Sequence, residues 1–101
     1  GFPVKIKSGA QEKPIPNTPN YKQEIANGKN KSIFYSDNKT AQELLDQFSG
    51  KGLTVTKNKE RVDFGKAIGK YYNRDTGEYL ETTKGMIHYG KDGAHIVPSR
   101  P

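Results

Sequence analysis

The chain has no cysteine among its 101 residues. A disulfide framework is therefore excluded, together with every zinc site built on thiolate, and the sequence is compatible with either redox compartment. Only two histidines are present, so an imidazole-based metal site would need carboxylates at a matching spacing, and none occurs. Tryptophan is absent, and apolar residues make up 31% against 28% charged. That composition allows one modest core in one domain, with marginal stability unless a partner is bound. No apolar run approaches the length of a membrane span. Nothing resembling a Gly-rich phosphate loop or a Gly-x-Ser-x-Gly elbow is present. The acids Asp75, Glu78, Glu81 and Asp92 fall mostly at expected turns and form no convincing magnesium site. The chain opens on Gly1-Phe2-Pro3 without methionine or a signal peptide, and the expectation is a piece of a longer polypeptide.

What is abundant is positive charge. Lys and Arg number 17 against 11 Asp and Glu, a net charge of +6. The excess is spread along the chain and interleaved with six tyrosines, a pattern that suits a polyanion and nucleic acid in particular. Residues 1–20 hold Pro3, Pro14, Pro16 and Pro19. Proline fixes φ and removes a donor, so this stretch is expected to be an extended linker or entry segment ahead of a domain over residues 21–101. Val4 and Ile6, alternating with Lys5 and Lys7, allow a short edge strand.

Two helices are expected. Asn20 with Gln23 makes a weak capping box for a short helix over residues 21–26, ended by Asn27-Gly28. A polar loop follows over residues 29–31, then a strand-like run at Ile33-Phe34-Tyr35. Thr40 with Glu43 makes a second capping box, and Ala41, Leu44, Leu45 and Phe48 then share one helical face that should pack on a sheet. Gly50 or Gly52 stops this helix. From Leu53 onward the period changes to two. Strands are expected around Leu53 and Val55, around Val62 and Phe64, over residues 68–72, at Tyr79, over residues 82–89 and over residues 94–97. Turns at Asp75-Thr76-Gly77 and at residues 90–93 separate the later ones. The fold class is α+β: N-terminal helices packed on a twisted antiparallel sheet.

Metal-independent RNA cleavage needs a base for the 2′-hydroxyl, an acid for the leaving 5′-oxygen, and donors for the phosphorane. On the strand over residues 82–89, Thr82, Lys84, Met86 and His88 share the face opposite Ile87. A polar face carrying Thr, Lys and His suits phosphate; an ordinary wet sheet face is the competing account. Arg61 and Asp63 lie opposite Val62 and Phe64, so they share a polar face. Arg61 offers a planar fork of donors, and Asp63 is placed to orient it or a histidine, unless the two form only a surface ion pair. The position of His95 depends on the preceding turn. A two-residue loop, Asp92-Gly93, leaves His88 and His95 on one face. A four-residue loop from Gly90 to Gly93 sets them directly opposite one another. A three-residue loop with a Gly bulge sends them to opposite faces. Beside Ile96 and Val97, a histidine buried against the core is the alternative for His95. The catalytic candidates are His88 and His95 as acid and base, Arg61, Lys84 and Thr83 as phosphate stabilisers, and Asp63 as orienting group; alternation sets Thr83 and Lys84 on opposite faces. Lys13, Lys57, Lys59, Lys66, Lys70, Arg74 and Arg100 are candidates for backbone contacts. No metal or cofactor is expected.

The run Asn58-Lys59-Glu60-Arg61-Val62-Asp63-Phe64-Gly65, the turn Asp75-Thr76-Gly77, Thr82-Thr83-Lys84-Gly85 with Ile87-His88-Tyr89, and the end from Gly93 through Ala94-His95-Ile96-Val97-Pro98-Ser99-Arg100-Pro101 resemble the polymorphic toxin type 50 domain. The resemblance runs from about Gln11 to the end and is most specific in the C-terminal half. It implies the C-terminal toxin domain of a contact-dependent or phage-associated bacterial effector, secreted or displayed at the cell surface and acting in the target-cell cytoplasm. It implies a barnase/EndoU/colicin/RelE-like ribonuclease fold, transfer RNA as substrate, a cognate immunity protein, and in some relatives elongation factor Tu of the target cell as helper. One position departs from the family: its motif resembles Gln-x-Lys-His-Ile, whereas Gln11-Glu12-Lys13-Pro14-Ile15 has proline in the histidine place. The acid–base work then falls to His88 and His95, and an inactive variant is the other implication. The alternative class is a non-catalytic basic module that binds nucleic acid or docks to a larger phage or secretion protein.

Overall fold

The structure, a computed structural model, describes residues 4–28 and 31–101. Pro3, the start at Gly1-Phe2 and most of the expected 29–31 loop lie outside the described residues. Three helices are present among them: α1 (Ser8–Gln11), α2 (Pro19–Ala26) and α3 (Asn38–Phe48). Seven strands accompany them: β1 (Ile33–Phe34), β2 (Leu53–Thr56), β3 (Lys59–Asp63), β4 (Gly69–Tyr72), β5 (Tyr79–Thr82), β6 (Lys84–Gly90) and β7 (Gly93–Pro98). None of these helices is long and apolar enough to cross a membrane.

Helix starts differ from the sequence expectation because better caps lie just upstream. The Asp37 carboxylate accepts from the Thr40 amide at 2.9 Å, so α3 begins at Asn38 and Thr40 occupies its third position rather than capping it. A carboxylate there also favours the positive end of the helix dipole. In α2 the cap is Thr18, whose hydroxyl accepts from the Tyr21 amide at 3.1 Å. Pro19 takes the first helical position, where a missing N–H costs nothing. Helix α1 is a single turn inside the stretch read as extended.

The class is α+β, but the strands form two antiparallel sheets where one was expected. One has the order β2-β3-β6-β7 and the other β1-β4-β5. The division comes from Thr83. The strand expected over residues 82–89 breaks there, because the buried Thr82 hydroxyl accepts from the Lys84 amide at 3.0 Å. Carbonyls of Thr82 and Thr83 are taken by the amides of Ile68 and Phe64, each at 2.9 Å. The chain thus leaves the small sheet as β5 and enters the large one as β6. Phe34, Leu44, Leu45, Val62, Phe64, Ile68, Ile87 and Ile96 fill the core between α3 and the sheets. Gly85 must lack a side chain, since a Cβ there would lie 2.9 Å from the Ile68 methyl.

The N-terminal stretch packs along β7. Ala94 exchanges backbone hydrogen bonds with Lys5 and Lys7, at 2.7 and 2.8 Å, and Ile6 forms a parallel bridge to Ala94. Gly93, at φ 139°, has Lys5 and Lys7 about it so closely that a Cβ would sit 3.0 Å from each. One step further along, the fully buried Gln11 amide takes the place of a strand. Its Nε2 donates to the Ile96 carbonyl at 2.9 Å, and its Oε1 accepts from the Ile96 amide at 2.6 Å. Gln42 of α3 clamps the same segment, accepting from the Ile6 amide at 2.8 Å and donating to the Val4 carbonyl at 2.9 Å.

Replacing Gln11 by leucine keeps the volume and strands two buried backbone groups, each costing about 1–3 kcal/mol. A fall in thermal midpoint of several degrees is expected by calorimetry; an unchanged midpoint would show that the clamp carries no stability.

Candidate active site

The β6–β7 hairpin sets the geometry. Gly90 pairs with Gly93 across a Lys91-Asp92 turn, so Tyr89 faces Ala94 and His88 faces His95. This is the register of the directly opposed alternative, tightened by the pairing of the two glycines. Alternation buries Ile87, Ala94 and Ile96 and turns His88 and His95 to the opposite face, where both are half-buried. Their rings stack with centroids 4.8 Å apart and planes 8° from parallel.

Across β3, β6 and β7 this face is organised in rows. Lys59 stands opposite His88, which stands opposite His95. Arg61, Met86 and Val97 form the next row, and Asp63 with Lys84 the third. Rows two residues apart lie about 7 Å from one another. Arg61 is therefore one row from the histidines, and Asp63 and Lys84 are two rows, about 13 Å, away. The structure brings His88 and His95 together with Lys59. It sets Asp63, Thr83 and Lys84 in a separate cluster at the far end of the face.

Within that cluster Asp63 accepts from the Gly65 amide at 3.0 Å. That bond and the Thr83 hydroxyl hold its carboxyl below the usual range. Asp63 thus caps the turn after β3, and Thr83, at the bend, reaches it from outside the alternation expected for a continuous strand. Arg61 donates from Nη2 to the Arg100 carbonyl, which uses one of five donors and anchors the C-terminal tail. Lys57, Lys66, Lys70 and Arg74 are exposed and dispersed over turns and β4 rather than gathered on the histidine face.

The segment clamped by Gln11 supplies the surroundings of His95. A cavity of about 180 Å³ is lined by Ala10, Lys13, Pro14, Lys31, Ser32, His95 and Val97. Pro14 is buried in its wall. Burial lowers the His95 pKa to about 4, helped by His88 and by the ammonium groups of Lys13 and Lys7. His88 is also lowered from 6.5, by burial and then by Lys59. At neutral pH both rings are uncharged, hydrogen-bonding groups set among cations. Such a pair can accept a proton, and an arriving phosphate would favour the protonated forms by offsetting the lysines. Among the described residues no group of three or more His, Asp and Glu side chains is arranged to hold a metal ion.

Sequence reasoning missed Lys7, Lys31 and Ser32, which no local pattern connects to His95. It also missed Glu60, which is only 5% exposed. Burial raises its pKa, but hydrogen bonds from Tyr89 and from the Gly50 and Gly52 amides outweigh that and hold it ionised. The amide bonds are 3.0 and 2.6 Å long, so Glu60 ties the loop after α3 to β3. A signal for it existed: Glu60 shares strand parity with the apolar Val62 and Phe64.

The family model described as Bacterial toxin 50 matches residues 6–98. No curated protein gives a significant match.

The depressed histidines link folding to pH. The unfolded chain, with imidazoles near 6.5, binds more protons than the native state between pH 6.5 and about 4. Stability is therefore complete above 6.5 and declines as pH falls toward 4. His95→Gln should flatten this acid limb in urea titrations across that window; an unaltered limb would remove His95 as its source.

Proposed function

The chain belongs to the bacterial toxin 50 family, and from that premise we propose that this toxin domain cleaves RNA, with transfer RNA as its substrate, by metal-independent transesterification. The observation that carries the reading is the stacked His88–His95 pair, set beside Lys7, Lys13 and Lys59. His95, with the lower pKa, takes the proton of the 2′-hydroxyl. The 2′-oxygen attacks phosphorus, the bond to the 5′-oxygen breaks, and His88 in its protonated form gives that oxygen its proton. The products are a 2′,3′-cyclic phosphate and a 5′-hydroxyl. With ring centroids 4.8 Å apart, both imidazoles are within reach of one phosphodiester. Lys59, Lys13 and Arg61 stabilise the phosphorane, while Lys84, Thr83 and Asp63 serve a neighbouring nucleotide. Lys57, Lys66, Lys70, Arg74 and Arg100 contribute to backbone attraction.

The reading extends to context. The α+β arrangement is a barnase/EndoU/colicin/RelE-like variant. The domain is the C-terminal part of a secreted or surface effector that acts in the target-cell cytoplasm, and elongation factor Tu of that cell is a candidate helper. A cognate immunity protein blocks the basic face and is expected to be acidic, complementing the net charge of +6. A second reading is supported by Pro14: with proline beside His95 where the family motif has histidine, the domain would bind nucleic acid without cutting it.

Incubation with total transfer RNA in EDTA distinguishes the two. Discrete fragments are expected, whereas intact RNA with a salt-sensitive mobility shift would leave the binding reading. His88→Gln and His95→Gln should each lose about 10²-fold or more in rate while remaining folded; wild-type rates in either would remove that residue from the mechanism. For the pair, kcat/KM should rise as pH passes about 4, where His95 deprotonates, and fall as His88 deprotonates below 6.5. A profile still climbing at pH 8 would exclude the assignment of base and acid.

A further inference from the structure

A second cavity, of about 410 Å³, adjoins the one at His95 and shares Lys31, Ser32 and Val97 with it. Beyond the shared wall it is lined by Tyr71, Arg74 and Asp75, at the end of β4 and in the turn that follows. The shared residue Val97 lies, with Pro98 beside it, at the seam where the large sheet meets the small sheet.

Its chemistry differs from that of the histidine site. Tyr71 is half-buried, and the Arg100 guanidinium lies over its ring at 6.0 Å from the centroid, so a base that stacks on that face takes the place of the guanidinium. The neighbouring Tyr72 ring is packed against Tyr79, with centroids 5.0 Å apart, which leaves Tyr71 as the platform. The Ser32 hydroxyl is occupied by the Tyr72 amide at 3.0 Å. Asp75 adds a carboxylate to the lining. A carboxylate repels phosphate but accepts hydrogen bonds from the exocyclic amine of a base.

We infer that this second cavity is a nucleobase subsite, in which the base next to the cleaved phosphodiester leaves its stack, lies on Tyr71 beside Arg74, and is selected for an exocyclic amino group by Asp75. The inference rests on the RNA-cleavage reading for its orientation, with the strand running from His95 across Val97 to Tyr71. The substrate it implies is a single-stranded or loop segment, since a paired base cannot reach an aromatic platform. Adenine, cytosine and guanine offer the carboxylate an exocyclic amine; uracil offers none, and its ring N–H stands between two carbonyl oxygens that the carboxylate repels.

The test is a set of titrations followed by NMR at the His95 and Tyr71 rings. The probes are ribose 5-phosphate, AMP, CMP and UMP, together with a cytidylyl-adenosine dinucleotide carrying 2′-deoxycytidine so that it cannot be cleaved. AMP and CMP should bind about tenfold or more tighter than ribose 5-phosphate, with UMP weaker than both. Tyr71→Leu should erase the advantage of the base and leave the response of His95 to ribose 5-phosphate intact. Asp75→Asn, on an exposed turn, should erase the discrimination against UMP alone. The dinucleotide should bind more tightly than either mononucleotide. Equal affinity for AMP and ribose 5-phosphate would overturn the subsite, as would transfer RNA cleavage whose KM and pattern ignore Tyr71→Leu. A mononucleotide preferred over the dinucleotide would overturn the assignment to an RNA strand. Base-selective binding in a protein that cuts no RNA would uphold the subsite and remove only the ribonuclease reading.

Discussion

The edge of β7 is where this structure is decided. A terminal strand exposes a row of unpaired amides and carbonyls, and burying one without partners costs more than a small core can return. Here Lys5 and Lys7 take Ala94, and the Gln11 side chain takes both polar groups of Ile96. Gln42 holds the same segment from the helix side. Without this closure His95 would stand on an open edge strand facing water. With it, Lys13 and Pro14 become part of the wall of a half-buried site, and the Lys7 charge is felt at His95.

That wall creates an electrostatic deficit. The core side of the sheet is satisfied almost entirely by apolar contacts, and Glu60, the charge it buries, is fully supplied with donors. The opposite face is arranged the other way. Two imidazoles are pressed together beside lysines, each arrangement disfavouring protonation. Groups set so that charge is unfavourable until an anion arrives are characteristic of sites that act on anions. The cost is acid-sensitive stability in a domain that has little to spare.

The bend at Thr83 supplies the rest of the geometry. By passing the chain from one sheet to the other, it turns the small sheet toward the end of β7 and opens the seam lined by Tyr71 and Val97. A single continuous sheet would have spread the same residues over a flat face. Distance along β3 and β6 separates Asp63 and Lys84 from the histidine row, so the polar face is a strip with two clusters rather than one compact constellation.

Much of this was legible in the chain itself. The period of α3, the switch to period two at Leu53, the turn at Gly77 and the inward set of Val62 and Ile87 all follow from side-chain spacing, because burial of an apolar face is a local periodic constraint. The sharing of one face by Arg61, Lys84 and His88 follows from the same alternation. The helix starts were misplaced by two or three residues because Asp37 and Thr18 cap as well as Thr40 and Asn20, and capping energies differ too little for sequence to rank them. The break at Thr83 was invisible because it depends on a hydroxyl finding the Lys84 amide and on amides of Phe64 and Ile68 finding distant carbonyls. Residue alternation by itself determined that His88 faces away from the core. Only the tertiary structure decided that His95 stacks on it and that lysines from the far end of the chain surround the pair. Turn register and edge closure are set by hydrogen bonds between residues as far apart in the chain as Lys5 and Ala94, and no local pattern encodes them.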